Sequence, residues 1–335
     1  MTKPYWKKDV YKERILKLQK ALGKQSFFVT FNPVDILYAT GLSVSKGALV
    51  IGKKSTLYLD SRYTLYAALV SPLPVKEYTK EVVFPKGCTF DPNVCPYALV
   101  QKGMKVGKNP FPLVRAIKEK RELKLMQASI DLMNKAFAHV RRKMKVGVTE
   151  KEMALAFELY SLAHGAEKMA FDPIIAFGKT GTMPHYHPGN VKLKRGIVLH
   201  DAGVVVNGYA SDTTRCFFAG KPTKTEKELY DLVDLSHKEA VATLKEGSSF
   251  AEADEAVREV FAREGMEEYY LHALGHGIGL DTHEYPLLSC KRGSDGVLKE
   301  GMVVTIEPGL YVEGVGGVRL EEMYLITKNG AKRLS

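Results

Sequence analysis

Cysteine is scarce in this chain of 335 residues: only Cys88, Cys95, Cys216 and Cys290 are present. None forms a C-x-x-C pair or sits at zinc-finger spacing, which excludes a thiolate zinc ribbon or finger. Free thiols in a reducing compartment are the plain reading, so a cytoplasmic protein is expected. Long apolar runs are absent too. No stretch approaches the roughly 18 apolar residues of a membrane-spanning helix. The basic opening MTKPYWKK leads into neither an apolar run nor a small-residue cleavage site, so no secretory signal is expected. Charge is plentiful, at 26% of residues beside 45% hydrophobic, the ordinary balance of a soluble globular protein. The length suggests two domains. A net charge of +11 raises nucleic acid or an anionic membrane as partners. The cations are spread along the chain, however, and the densest runs, KKDVYKER and RRKMK at 141–145, read as solvated helix faces. Neither nucleic acid nor membrane is therefore expected.

Residues 1 to about 110 alternate helical and strand signals. Val10–Leu22 has near-helical apolar spacing, FFVTF (27–31), ALVIG (48–52) and TLYLD (56–60) are strand-like, and RYTLYAALV (62–70) reads as a helix. The alternation predicts an α/β unit with a mixed sheet. NPFP at 109–112 punctuates the chain, giving expected domains 1–112 and 113–335. Beyond it, Leu123, Met126, Ile130, Met133, Phe137, Val140 and Met144 step by three and four and form one helical stripe. Thr149-Glu-Lys-Glu152 is a capping box that opens a second helix. The plan returns about 100 residues later, with helices around Leu229–Leu244 and before Gly265; Gly247 matches Gly147 and Gly265 matches Gly165. This weak internal duplication predicts two similar halves with a cleft at their junction.

The segment HDAGVVVNGYASD (200–212) carries the first chemical signal. Asn207-Gly208 is a strong two-residue turn signal. If Val206 faces Tyr209, then Gly203 faces Asp212, and Asp201, two residues beyond Gly203, points to the same side of the ribbon. The two aspartates become diagonal neighbours with Cα atoms roughly 7–8 Å apart. Asp201 follows Ile197, Val198 and Leu199, and a buried carboxylate without a partner is costly, as are like charges held together. A divalent cation, or two, relieves both costs; two exposed aspartates at strand ends are the bland alternative.

Four later features favour the cation. GHGIGLDTHE (275–284) supplies His276 and, seven residues on, His283. TIEPG (305–309) puts Glu307 at the end of an apolar run, with Pro308-Gly309 breaking the strand. GVRLEE (317–322) adds Glu321 on another expected strand, and PHYHP (184–188) adds His185 and His187. Two aspartates, two glutamates and one imidazole suit hard or borderline divalent ions. A pair of such ions about 3.5–4 Å apart can generate a nucleophile from water at neutral pH.

These motifs resemble those of the creatinase, prolidase and aminopeptidase P family, the "pita-bread" metallopeptidases, which include the methionine aminopeptidases. DAG at 201–203, SDTTR at 211–215, GHGIG at 275–279, EPG at 307–309 and RLE at 319–321 stand in the family's order. The resemblance implies Asp201, Asp212, His276, Glu307 and Glu321 as ligands of two divalent ions, manganese first, with cobalt or zinc as alternatives. "ILYATGLSVSKGALVI" and "LYLDSRYTLYAALV" are similar to segments of the family's creatinase-type N-terminal domain, which the methionine aminopeptidases lack. The implied fold is α/β (α+β): that N-terminal α/β domain, then a pita-bread domain whose pseudo-twofold halves surround a curved, mainly antiparallel sheet. Glu322 stands where the family often has Asp after the last ligand, a position that is not a usual ligand.

The resemblance also implies roles. Glu307 would take the proton of the attacking water besides binding metal. His185, with His187 as the alternative, and His283 would line the cleft, hydrogen-bonding the scissile carbonyl oxygen, one of them serving the leaving proline nitrogen. Arg319 would orient a ligand carboxylate or clamp a substrate carboxylate; Arg215 would be a strand-end charge or a partner of a ligand. The implied reaction is hydrolysis of the bond between an N-terminal residue and a following proline, by a homodimer as in many members. An Xaa-Pro aminopeptidase of the aminopeptidase P type is the reading preferred from the sequence. An Xaa-Pro dipeptidase (prolidase) is the alternative, and a non-catalytic peptide- or nucleic-acid-binding member of the fold is the alternative of another class. Creatinase, a metal-free hydrolase on this fold, would need the ligand set broken, and here it is whole.

Overall fold

The computed structural model describes residues 4–79, 82–291 and 295–335; the first three residues of the basic N-terminal run lie outside them. The chain divides into two compact units, Met1–Arg115 and Ala116–Ser335. Among the described residues no helix is long and apolar enough to cross a membrane.

The first unit is built on α1 (Lys8–Ala21), β1 (Phe27–Thr30), α2 (Pro33–Thr40), β2 (Gly47–Gly52), β3 (Thr56–Leu59), α3 (Ser61–Val70), β4 (Val75–Glu77), β5 (Cys88–Phe90) and β6 (Lys105–Val106). The six strands form one mixed sheet in the order β4-β3-β2-β1-β5-β6. β1, β2 and β3 pair antiparallel, whereas the outer pairs are parallel. The α2 helix escaped the sequence reading because it is short. It is nevertheless well bounded: Asn32 Oδ1 accepts from the Val34 N–H, Pro33 opens the first turn, and Gly41 closes it in the left-handed region at φ 73°.

A short helix, α4 (Phe111–Ala116), lies where the chain divides, and the second unit follows. It contains α5 (Lys120–Lys143), α6 (Glu150–Ala163), β7 (Lys168–Met169), β8 (Ile174–Phe177), β9 (Gly196–Ala202), β10 (Val204–Val206), β11 (Tyr209–Ala210) and β12 (Thr213–Ala219). Then come α7 (Lys224–Thr243), α8 (Glu252–Arg263), β13 (Gly275–Gly277), β14 (Glu284–Leu288), β15 (Val303–Ile306), β16 (Gly309–Val312), β17 (Gly316–Arg319), β18 (Glu322–Thr327) and β19 (Gly330–Arg333). Every strand pair here is antiparallel. Met126, Ile130, Met133 and Val140 of α5 are buried, as their spacing requires. Thr149 and Glu152 cap α6 reciprocally.

The duplication is visible in the backbone. Gly147 N–H donates to Leu193 O and Gly247 N–H to Leu298 O, both at 2.9 Å. Thr149 bridges Lys192, and Ser249 bridges Val297. The Ala166 N–H closes onto Ser161 O as the Met266 N–H closes onto Phe261 O.

The halves also share a bent hairpin. In the first, Asp201 lies opposite Thr214 and Ala202 opposite Thr213; the ladder then breaks for two residues on each strand and resumes with Val205 opposite Ala210 and Val206 opposite Tyr209. Asn207 and Gly208, at φ 51° and 78°, make the turn. The register is the one the Asn-Gly turn implies, but the ribbon is not one continuous ladder. β9 and β12 pair in a sheet with β8, while β10 and β11 pair in a sheet with β7. The bend brings backbones together: a Cβ on Gly203 would lie 1.9 Å from the Ser211 carbonyl oxygen. In the second hairpin Ile306 lies opposite Glu322, two residues on each strand are unpaired, and the ladder resumes with Gly309 opposite Arg319.

Gly203→Ala is therefore expected to destabilise the protein by more than about 2 kcal/mol, since backbone must move. Gly330→Ala, with nothing within 4 Å of the added carbon, is expected to stay within about 0.5 kcal/mol of wild type. Paired urea unfolding curves check both, and equal midpoints would refute the close-approach argument.

Candidate metal centre

The breaks in the two hairpins carry carboxylates. Asp212 directly precedes β12, and Glu321 holds the same place before β18, so Glu321 lies in the break and not on a strand as expected. Glu307 occupies the break opposite Glu321. Asp201 is on β9, opposite Thr214. His276 sits on β13, whose backbone packs tightly against β15: a Cβ on Gly275 would lie 2.0 Å from Thr305 O. The Gly-His-Gly pattern is thus a packing requirement that lets an imidazole stand over the carboxylates.

The side chains converge. One ligand atom each of Asp212, His276 and Glu321 lie within 4.8 Å of one another. His276 Nε2 is 3.7 Å from Asp212 Oδ2 and 3.4 Å from Glu307 Oε1. Asp201 Oδ2 accepts from Arg319 Nη2 at 2.5 Å, while its buried Oδ1 has no hydrogen-bond partner. Burial, reinforced by the charges of Glu321, Asp201 and Glu307, pushes the Asp212 carboxyl well above the usual range. Burial and the charges of Glu307 and Asp201 do the same to Glu321. Glu307 is pushed up to about 8, chiefly by burial. Burial lowers the His276 pKa, so its imidazole is neutral and able to coordinate.

The donor set fits divalent metal ions. Carboxylates this close and this buried cannot all ionise without a compensating cation. The unpartnered Asp201 oxygen, the neutral imidazole and the oxygen-rich set match hard or borderline ions.

Around the centre lies a cavity of about 530 Å³. Its wall includes all five of these residues, His185 and His283 with exposed rings, and apolar Phe171, Ile174 and Leu287. His187 is exposed and is not in the cavity wall. Arg319 is buried and committed: Nε donates to Thr214 Oγ1, Nη1 to Tyr311 Oη, and Nη2 to Asp201. Thr214 Oγ1 in turn donates to Glu321 Oε2 at 2.7 Å. One guanidinium and one hydroxyl thereby couple carboxylates from both hairpins. Arg215 Nη1 donates to Glu321 O at 2.8 Å and pairs with Glu322.

The sequence reading missed His272, Tyr311 and Thr214. His272 Nε2 lies 2.8 Å from Tyr311 Oη, and its Nδ1 lies 2.8 Å from Ala273 O. Because Arg319 can only donate, the Tyr311 hydroxyl is free to donate onward to His272 Nε2, and Nδ1 carries the proton donated to Ala273. Burial lowers the His272 pKa to about 4 and raises that of Tyr311 to about 12, keeping both neutral. His272 stands four residues before His276, a spacing that was visible, but its partner 39 residues away was not.

A cleft lined by clustered buried carboxylates, a neutral imidazole and further histidines suits a metal-dependent hydrolase. Residues 124–328 match metallopeptidase family M24, and the chain belongs to that family. It is 35% identical to the Xaa-Pro dipeptidase of Pyrococcus furiosus, over 97% of this chain and 98% of that one. The crystal structure of the prolidase from Pyrococcus horikoshii superposes with a TM-score of 0.89 at 33% identity, covering 96% of this chain and 97% of that one. That of an X-Pro aminopeptidase from Thermotoga maritima superposes with a TM-score of 0.83 at 28% identity, covering 95% and 97%. The fold is the family's α+β pita-bread architecture, and the chain is a metallopeptidase-type hydrolase.

Replacing Arg319 by Met should leave Asp201 without its donor and loosen Thr214. Divalent metal affinity is expected to fall about 10- to 100-fold, measured by calorimetric titration of chelator-treated protein with Mn²⁺. Unchanged affinity would remove Arg319 from the support of the centre.

Proposed function

We propose that the protein is an Xaa-Pro dipeptidase, a prolidase. The observation that carries this is the 35% identity with a protein named Xaa-Pro dipeptidase along almost the whole of both chains. This shifts the preference from the aminopeptidase P type, favoured from sequence motifs, to prolidase. The Thermotoga maritima X-Pro aminopeptidase, more distant at 28% identity, keeps the aminopeptidase P type as the second reading.

Asp201, Asp212, His276, Glu307 and Glu321 would hold two divalent ions, manganese being the first candidate. When bound, the ions would supply Lewis-acid polarisation and acidify water. Glu307 would take the proton of the attacking water as the water oxygen bonds to the scissile carbonyl carbon, and deliver that proton to the amide nitrogen as the C–N bond breaks and proline leaves. His185 and His283, on the cavity wall, hydrogen-bond the substrate's scissile carbonyl oxygen. Arg319 would keep Asp201 oriented, since its Nε, Nη1 and Nη2 donate to Thr214, Tyr311 and Asp201. The proline ring would fall to the apolar wall of Phe171, Ile174 and Leu287. A cavity of about 530 Å³ is within the usual range for a small ligand.

Protein reconstituted with Mn²⁺ should release alanine from Ala-Pro with a kcat/KM at least about tenfold above that for Ala-Pro-Ala, a difference of about 1.4 kcal/mol in transition-state binding. Equal or faster release from the tripeptide would establish the aminopeptidase P type in its place. Release from neither, with Asp201→Asn binding as much metal as wild type, would sink both.

A further inference from the structure

We infer that Glu150 is a positioning residue that holds the segment 177–189, and with it His185, against the cavity; this rests on the substrate-facing role proposed above for His185. Glu150 opens α6 and is fully buried. Its Oε1 accepts from the Phe177 N–H at 2.9 Å and the Thr180 hydroxyl at 2.5 Å. Its Oε2 accepts from the Tyr186 hydroxyl at 2.7 Å and the Gly189 N–H at 3.1 Å. All four donors are neutral. The helix N-terminus and these four hydrogen bonds stabilise the buried charge.

The four contacts span both ends of the segment and its middle. At Gly181 and Pro184 the segment meets β17. A Cβ on Gly317 would fall 1.8 Å from Gly181 O, and Arg319 Nη1 reaches Pro184 O at 3.5 Å. Between the two grips, Tyr186 turns to Glu150 while its neighbour His185 lines the cavity. The fold itself does not require a carboxylate at this corner. In the second half the equivalent place is Phe250: its N–H donates to Gly296 O as the Glu150 N–H donates to Val191 O. Phe250 fills the corner by packing, with its ring 5.5 Å from that of Tyr285. At this corner the half whose loop carries His185 has a buried carboxylate, and the other half has an apolar ring.

Glu150→Gln is the sharp variant. Each carboxylate oxygen serves one backbone N–H and one hydroxyl, so an amide must turn its NH₂ towards a backbone N–H that cannot rotate away. In the metal-loaded full chain, kcat/KM for Ala-Pro is expected to fall roughly 10- to 100-fold with metal content unchanged. The Phe177 and Gly189 amides should lose hydrogen-exchange protection while those of β9 keep theirs. In a His185→Ala background Glu150→Gln should cost less than about threefold, because coupled residues are not additive. Tyr186→Phe and Thr180→Val each remove one donor and leave the carboxylate, so they carry the same tests, with smaller losses, should Glu150→Gln fail to fold. Undiminished protection of Phe177 and Gly189, or a full loss repeated in the His185→Ala background, overturns the inference. If the wild-type enzyme cleaves no Xaa-Pro substrate, the proposed function falls, and the exchange measurement alone decides whether Glu150 holds the segment.

Discussion

Several carboxylates buried in one small space repel one another, and the second unit is organised around tolerating that repulsion. Asp212, Glu307 and Glu321 are all held above their ordinary ionisation range, and Asp201 keeps an oxygen without a partner. Among the described residues the cation bonded to one of these carboxylates' side chains is Arg319, which donates to one oxygen of Asp201, to Thr214 and to Tyr311. The remaining charge calls for cations that the polypeptide does not provide, which is why this arrangement is a place for metal and not a structural ion-pair network.

Geometry follows from the same constraint. A straight antiparallel ladder would point alternate side chains to opposite faces. Breaking each ladder for two residues on both strands frees Asp212, Glu307 and Glu321 from the pairing pattern while preserving register. The two hairpins are joined where Thr214 meets Glu321, through the Glu321 N–H to Thr214 O at 3.1 Å and the Thr214 hydroxyl to Glu321 Oε2 at 2.7 Å. Duplicating a bent hairpin is thus an economical way to bring carboxylates from distant parts of the chain to one point.

The polar shell behind the centre is directional. Arg319 donates, the Tyr311 hydroxyl relays, and His272 ends the line on a backbone carbonyl. Glu150 instead gathers four neutral donors. One device orients Asp201, and the other gathers the segment 177–189, whose His185 lines the cavity.

Much was legible in the sequence. Periodicity marked α1, α3, α5 and α6, and Asn207-Gly208 determined a turn and its register because only residues tolerant of positive φ make so tight a reversal. Asp201, His276 and Glu307 stood out because each lies within two residues of a glycine or proline, and Asp212 and Glu321 through the hairpin and the family-like SDTTR and RLE segments. What the sequence could not carry was the long-range pairing. That Glu321 sits in a break, that Arg319 is already committed, and that Tyr311, Thr214 and His272 stand behind the centre are consequences of contacts between residues as far as 118 positions apart. Local propensity and spacing decide turns, stripes and candidate donors. Only the packing of one half against the other decides which donor meets which acceptor, because burial is what turns a lone carboxylate into one that must find a cation.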